Sequence, residues 1–342
     1  MSLKNLNATI KIPKLFIDKL RDKKINTIYK KFEKSLNINE SFAVAVSGGP
    51  DSLALAFLSK VYSLKKKLPV KFLIVDHKLR TESTKEAKAV SLLLKKFLIN
   101  SEILVWKGQK PIKNIQSLAR TKRYELLFKR CEKLKINNIL LGHHQDDLVE
   151  NFFIRLLRGS GLKGLISLDI KNKISNKNIL RPLLVQKKED LIYVSKEVFN
   201  FYVEDPTNLD EKFQRIRVRK LISELQKNGL DKKKFLKTIQ NLKHSNDVVN
   251  FYVNKNFKKN TFFSKKKNYL ILKKEFFDHP HEVIFRAFSE SLKLVGKKYY
   301  SVRGKKLVKI IDDIANNRLK RVTLGGCIVE KVNQTIIISK EH

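Results

Sequence analysis

An α/β fold built on a doubly wound parallel sheet is predicted by three features of the first half of the chain. Four short apolar runs read as buried strands. Each leads into a segment whose apolar residues recur at helical spacing, so strands and amphipathic helices alternate. Polar clusters stand where the strands end, which is where such sheets bind ligands.

In order, Phe42 to Val46 is an apolar strand, and the glycine-rich turn after it opens an all-apolar helix, Leu53 to Leu58. Val70 to Asp76 is a second strand, followed by a helix with Val90, Leu93, Leu94 and Phe97 at i, i+3, i+4 and i+7. A third strand, Glu102 to Trp106, precedes a helix carrying Tyr124, Leu127, Phe128 and Cys131. The fourth, Asn138 to Leu141, runs through Gly142-His143-His144 into a helix with Val149, Phe152, Phe153 and Leu156. After about residue 185 the alternation fades into a helix near 187–200, the turn-rich Glu204-Asp205-Pro206-Thr207-Asn208, and a basic helix from about Lys212. Helical patterns near 231–256, 279–294 and 302–317, with strands at Tyr269 to Leu272, Arg321 to Leu324 and Thr335 to Ser339, predict a smaller mixed α+β domain. The expected domains are 1–225 and 226–342.

Lys and Arg number 73 against 33 Asp and Glu, a formal net charge of +40 over 342 residues. Such a field concentrates polyanions, so nucleic acid leads the partner classes. A composition rich in Lys, Ile and Asn together accounts for part of the lysine excess without any patch. Arginine separates the two readings. Only 15 of the basic residues are Arg, most of them between Arg80 and Arg219, and there they mark sites needing a planar donor for phosphate or carboxylate. Cys131 and Cys327 form no pair in sequence, which excludes a disulfide framework and a cysteine-held zinc or iron-sulfur site; both are expected in cores. No apolar run reaches membrane-span length and no signal-peptide core is present, which predicts a cytoplasmic protein.

Ser47-Gly48-Gly49-Pro50-Asp51-Ser52 has what a phosphate cradle requires. Glycines let backbone N–H groups point inward, a helix N-terminus adds positive potential, and Ser47 and Ser52 offer hydroxyls. Asp51 would be repelled by phosphate unless a cation intervened, so it is the expected Mg²⁺ ligand. The plainer alternative is a glycine turn before a capped helix. The loop is neither a Walker A motif nor a Gly-x-Gly-x-x-Gly fingerprint. Further on, Asp146, Asp147 and Glu150 share one helix face, suited to gripping a cationic amine and accepting its proton; favourable placement at the helix dipole is the competing reading. Adjacent His143 and His144 suit a single metal ion poorly.

A buried strand followed by Ser-Gly-Gly-x-Asp-Ser resembles the pyrophosphatase-type ATP-binding loop. Four more segments look like the tRNA(Ile)-lysidine synthetase family: Val75-Asp-His-Lys-Leu-Arg-Thr-Glu-Ser83, Ala119-Arg-Thr-Lys-Arg-Tyr124, Leu141-Gly-His-His-Gln-Asp-Asp-Leu-Val-Glu150 and Glu204-Asp-Pro-Thr-Asn208. Together they span about residues 40–220. The resemblance implies an adenine nucleotide alpha hydrolase-like fold, with a catalytic domain over 1–225 and a tRNA-binding domain over 226–342. It implies that ATP, with Mg²⁺, adenylates the wobble cytidine of an isoleucine tRNA at carbon 2, and that free L-lysine then attacks through its ε-amine. ATP is expected on Ser47, Gly48, Gly49, Pro50, Asp51, Ser52, Asp76, His77, Arg123 and His143, with Arg123 stabilising charge on the phosphates. Catalysis falls to Asp51, Arg123, Asp147 and Glu150. Lysine is expected on Asp146, Asp147 and Glu150, and tRNA on Arg158, Arg215, Arg217 and Arg219.

This chain has Leu148, Asn151 and Ile216 where the family commonly has Gln, Thr and Asn. The rival enzyme is a tRNA 2-thiolase of the same superfamily; such enzymes generally use cysteines for sulfur delivery or a cluster, and no cysteine pair is present in this sequence. The rival outside enzymes is a silent RNA-binding protein, against which the intact Asp51, Arg123, Asp147 and Glu150 argue.

Overall fold

The computed structural model describes residues 13–79, 82–108, 115–174, 176–203, 213–264, 269–297 and 304–341. Arg80, Thr81 and the segment Glu204 to Asn208 lie outside the described residues. The chain divides into two compact units, Met1–Leu236 and Lys237–His342.

In the first unit the described strands form one sheet, ordered β3-β2-β1-β4-β6-β5. They are β1 (Phe42–Val46), β2 (Val70–Asp76), β3 (Ser101–Val105), β4 (Asn138–Leu140), β5 (Lys171–Ile174) and β6 (Lys177–Leu180). All neighbours are parallel except β5 and β6, a hairpin on the edge. Period-two alternation sorts the side chains onto two faces. Phe42, Val44, Val46, Phe72, Ile74, Leu140 and Leu180 enter one core cluster, while Ala43, Leu73, Ile139 and Ile179 enter another. The first face is covered by α1 (Lys14–Arg21), α2 (Lys23–Ser35), α3 (Pro50–Lys66), α4 (Ser83–Lys96) and α8 (Lys188–Phe199). The second is covered by α5 (Ile115–Lys133) through Leu127 and Cys131. Helices on both faces explain why the strands read as unbroken apolar runs.

The sequence reading left α1, α2 and the β5–β6 hairpin unassigned. Asp22 starts α2 by accepting from the Ile25 N–H at 2.8 Å, and it also accepts from the Tyr193 hydroxyl at 2.7 Å, which ties α2 to α8. After β4 come α6 (Gln145–Leu156), the single turn α7 (Leu162–Leu165) and, beyond α8, α9 (Gln214–Lys227) and α10 (Lys232–Asn260). A cluster of Val149, Phe153 and Val218 gathers Ile222, Leu225, Phe235 and Leu236, with the Phe153 and Phe235 rings stacked 5.2 Å apart. This packing holds α9 and the start of α10 against α6, so the division between units falls after Leu236, later than the expected 225/226.

The second unit has a five-stranded antiparallel sheet, β7-β8-β11-β10-β9, from β7 (Thr261–Ser264), β8 (Tyr269–Leu272), β9 (Arg321–Leu324), β10 (Cys327–Val332) and β11 (Thr335–Lys340). Its core is filled by α11 (His281–Gly296) and α12 (Gly304–Ala315) through Ala287, Phe288, Leu292, Leu307 and Ile311. Cys327 is buried there and Cys131 is buried under the first sheet, both as expected.

Leu127 is fully buried between α5 and the sheet. Leu127→Ala is expected to destabilise the first unit by about 2–5 kcal/mol, read as a lower urea midpoint for its unfolding transition.

Candidate active site

Strand order reverses at β1, since β2 and β3 lie to one side of it and β4 to the other. The two segments leaving β1 and β4 therefore diverge, and a crevice opens between them at the strands' carboxyl ends. Ser47 to Ser52 leaves β1 there, and Gly142 to Asp147 leaves β4.

The first loop is shaped by Ser52. Its buried hydroxyl accepts from the N–H groups of Ser47 and Gly48, each at 3.1 Å, and donates to the Gly49 carbonyl at 2.9 Å. Ser52, the residue expected at the phosphates, also sets the shape of the loop. Gly48 has φ +89°, and a Cβ there would lie 2.6 Å from Val90 Cγ2. Gly49 is the N-cap of α3 with Pro50 in the first turn, and a Cβ on it would meet nothing within 4 Å. The mouth of the loop is thus open, next to the positive end of a 17-residue helix. On the far side, Ser195 of α8 donates to the Pro50 carbonyl at 2.6 Å and pins the turn.

Gly142 lets the second loop approach. A Cβ there would stand 3.2 Å from the Asp51 carbonyl carbon and 3.3 Å from the Ser52 nitrogen. His144 then caps α6: its Nδ1 accepts from the Asp146 N–H at 3.2 Å, and Asp147 accepts from the His144 N–H at 2.9 Å. With Nδ1 accepting, the imidazole proton is assigned to Nε2, which faces Asp51 Oδ2 and Asp147 Oδ2, each at 3.6 Å. His144 therefore links the phosphate loop to the acid cluster.

Asp51 keeps a buried Oδ1 without a hydrogen-bond partner. Burial raises its pKa, nearby Asp147 adds to the rise, and His144 and Lys188 oppose it. Asp147 is held below the usual carboxylate range, because His144, His143 and Arg215 together outweigh its burial. One orphaned carboxylate oxygen at the mouth of a phosphate loop fits a divalent cation whose remaining ligands are mostly phosphate and water. Among the described residues no group of three or more His, Cys, Asp or Glu could hold a metal unaided.

The acids expected to bind an amine already carry intrachain cations. Glu150 is buried and paired with Arg219 Nε at 2.6 Å and Arg215 Nε at 3.0 Å, while Arg215 also reaches Asp147 at 3.4 Å. Lys232, at the start of α10, pairs with Asp146. Arg215 and Arg219, expected at RNA phosphates, thus sit against the acid cluster, and the exposed Arg217 lies between them in sequence. Arg158 donates to Gln214 at 2.7 Å, beside a glycine C-cap in which the Ser160 N–H bonds the Arg155 carbonyl.

At the end of β2, Asp76 accepts from Thr84 at 2.6 Å, the Lys78 N–H at 2.9 Å and Ser83 at 3.0 Å. Its carboxylate shapes the loop into α4. His77 accepts from Arg123 Nε at 3.4 Å, which brings the β2 end and α5 together. Sequence reasoning missed Arg181, which ends β6, is buried, and donates to the Asp169 carbonyl at 2.9 Å and to Asn172. Its charge also acts on His143. The scarcity of arginine and a position directly after an apolar run were the signals available for it.

The matches to known proteins agree with this geometry. Residues 19–225 match the family model described as a PP-loop domain, so the first unit is an ATP-utilising α/β domain. The chain belongs to the tRNA(Ile)-lysidine synthase family. It is 37% identical over 316 residues to the tRNA(Ile)-lysidine synthase of Orientia tsutsugamushi, covering 89% of this chain and 70% of that one. With the enzyme of the same name from the Wolbachia of Brugia malayi it shares 32% identity over 311 residues, 89% of this chain and 71% of the relative. Among solved structures, a U34-tRNA thiolase from Methanococcus maripaludis with its [4Fe-4S] cluster has the same fold, with TM-score 0.54 and 20% identity over 65% of this chain and 79% of that one.

Two outcomes follow from the loop geometry. Gly48→Ala should destabilise the first unit by about 1–3 kcal/mol, through strain at positive φ and the clash with Val90. Gly49→Ala should leave the melting temperature unchanged and weaken ATP binding at least tenfold by calorimetry, since its methyl group fills only the open mouth. A third outcome concerns acid. Burial, with Arg123 nearby, pushes the His77 pKa down to about 4; burial, with Arg181 and Arg120 acting against Asp147, pushes that of His143 to about 3. Below the ordinary value of 6.5 the unfolded chain takes up protons that these folded imidazoles refuse. Stability should therefore fall as pH drops from about 6.5 toward about 4, and His77→Gln should flatten that slope in urea titrations.

Proposed function

We propose that this protein is a tRNA(Ile)-lysidine synthetase that uses free L-lysine as the nucleophile and Mg²⁺ with its ATP. Family membership supports the tRNA substrate. The observation that carries the chemistry is His144, which joins the phosphate loop at Asp51 to the acid cluster at Asp147 within one crevice.

In the first step the carbonyl oxygen at carbon 2 of the wobble cytidine attacks the ATP α-phosphorus. A phosphorus–oxygen bond forms and the bond to pyrophosphate breaks. The Gly49 turn and the α3 N-terminus receive phosphate oxygens, and Arg123 offsets the charge that grows on the departing pyrophosphate. Asp51, whose buried Oδ1 has no hydrogen-bond partner, would hold Mg²⁺, and the ion would supply further charge neutralisation. In the second step the ε-nitrogen of lysine bonds to carbon 2, and AMP leaves with the former carbonyl oxygen. An ammonium with an ordinary pKa of about 10.4 must first lose a proton. Asp147 takes that proton in this reading, with Asp146 and Glu150 holding the cation nearby.

The pairing of those acids with Arg215, Arg219 and Lys232 implies competition. Lysine displaces intrachain cations, and RNA phosphates near α9 draw its arginines the other way, so bound tRNA should favour lysine entry. A thiolase needs accessible thiols, and this chain's two cysteines are each buried in a hydrophobic core.

The test is incubation with ATP, lysine and unmodified tRNA(Ile), followed by mass spectrometry of the wobble nucleoside. The expected gain is lysine less one water; a sulfur-for-oxygen change with a sulfur donor, or no AMP formed, would overturn the reading. Asp147→Asn keeps an oxygen to cap α6 but removes the charge. It should slow lysine transfer roughly a hundredfold and leave tRNA-dependent adenylation, read as pyrophosphate release, much less affected.

A further inference from the structure

Helix α10 carries two apolar stripes, and its own unit uses one. Val253 is buried in the second core, with Val249 and Phe257 packed against it and Asn256 and Asn260 bonding the turn at Lys274–Phe277. That face completes the packing a surface helix needs. Val248, Phe251 and Tyr252, at i, i+3 and i+4, stand on the other side and are 58%, 63% and 48% exposed. The two rings form an edge-to-face pair 5.5 Å apart. Single exposed apolar residues are ordinary, but three adjoining ones on a helix make a patch.

The surroundings of the patch are basic. One turn toward the C-terminus, Lys255, Lys258 and Lys259 continue the same exposed face, and none of them forms an ion pair with a described residue. Asp247 stands at the edge of the face, and Lys237 through His342 hold 23 basic against 9 acidic residues. A second copy of so basic a surface would be repelled rather than received. A lipid surface needs an apolar face longer than three residues, and the opposite side of this helix is already buried. What fits is a polyanion with flat apolar faces, in which phosphates meet the lysines and a base stacks on a ring.

We propose that the Val248–Phe251–Tyr252 face of α10, with Lys255, Lys258 and Lys259, is an RNA-binding surface on which an unpaired tRNA base stacks. The proposal rests on the tRNA reading above for the identity of the RNA. Stacking and phosphate contacts differ in salt dependence, which separates the two halves of the surface. Base stacking releases no counterions, whereas each phosphate contact adds nearly one to the slope of log affinity against log salt.

The experiment measures binding of fluorescently labelled, unmodified tRNA(Ile) to the full chain over a range of salt. Phe251→Ala with Tyr252→Ala should weaken binding about tenfold with the salt slope unchanged. Lys255→Gln, Lys258→Gln and Lys259→Gln together should lower the slope by about two to three. Phe251→Trp with Tyr252→Phe should restore wild-type affinity, and all variants should melt like the wild type because the replaced side chains are exposed. Unchanged tRNA affinity in the double alanine variant overturns the proposal. So does loss of self-association in sedimentation, or loss of binding to anionic vesicles, with RNA affinity intact. Lysidine formation at saturating tRNA is measured in parallel. Its absence in the wild type would sink the enzymatic reading and leave the surface standing, whereas normal turnover with patch-independent affinity would do the reverse.

Discussion

Strand β1 pairs in parallel with β2 on one side and with β4 on the other, and the geometry of the site depends on that double pairing. Because all three strands point the same way, their loops emerge at one end. Because the chain runs outward through β2 and β3 and then returns to β4, the loops after β1 and β4 part and leave room between them. Both faces of β1 are sealed, by Phe42, Val44 and Val46 on one side and Ala43 and Ala45 on the other, so the strand cannot shift register without inverting its core. The phosphate loop inherits that rigidity. Ser52 and Ser195 then fix its shape from within and from behind.

Charge organises the crevice as firmly as packing does. Four carboxylates, of Asp51, Asp146, Asp147 and Glu150, converge where α3 and α6 begin. Folding such a cluster without counter-charges would be costly, because buried like charges repel strongly. Arg215, Arg219 and Lys232 supply the counter-charge from α9 and α10, and the aromatic contacts of Phe235 with Phe152 and Phe153 hold the start of α10 in place. The resting site is therefore close to balanced in charge. The depressed His77 and His143 belong to the same logic: among several arginines, neutral imidazoles add no further positive charge, and that of His77 accepts from Arg123.

The core strands were legible because each is a contiguous apolar run whose local pattern and final environment agree. Phe42–Val46 and Val70–Asp76 match their expected bounds for that reason. Helix α2 was legible too, since Ile25, Ile28, Tyr29 and Phe32 repeat at i, i+3, i+4 and i+7 and all are buried, but no glycine loop or motif drew the reading there. The β5–β6 hairpin was not. Lys171–Ile174 and Lys177–Leu180 are short and polar, and what makes the second a strand is its pairing with β4, a partner some 40 residues away.

The sequence by itself determined the phosphate loop, the acids on one helical face, the alternation of strand and helix, and the excess of positive charge. Each is a local property, set by spacing along a helix or by the order of residues at a turn. Tertiary packing alone brings the Ser52 hydroxyl to the loop's own backbone, sets His144 between Asp51 and Asp147, and joins Arg215 and Arg219 to Glu150. Those contacts join residues tens of positions apart, and no periodicity encodes them. They arise because packing α6 against α9 brings two helix faces of opposite charge together, and a buried carboxylate takes the nearest cation.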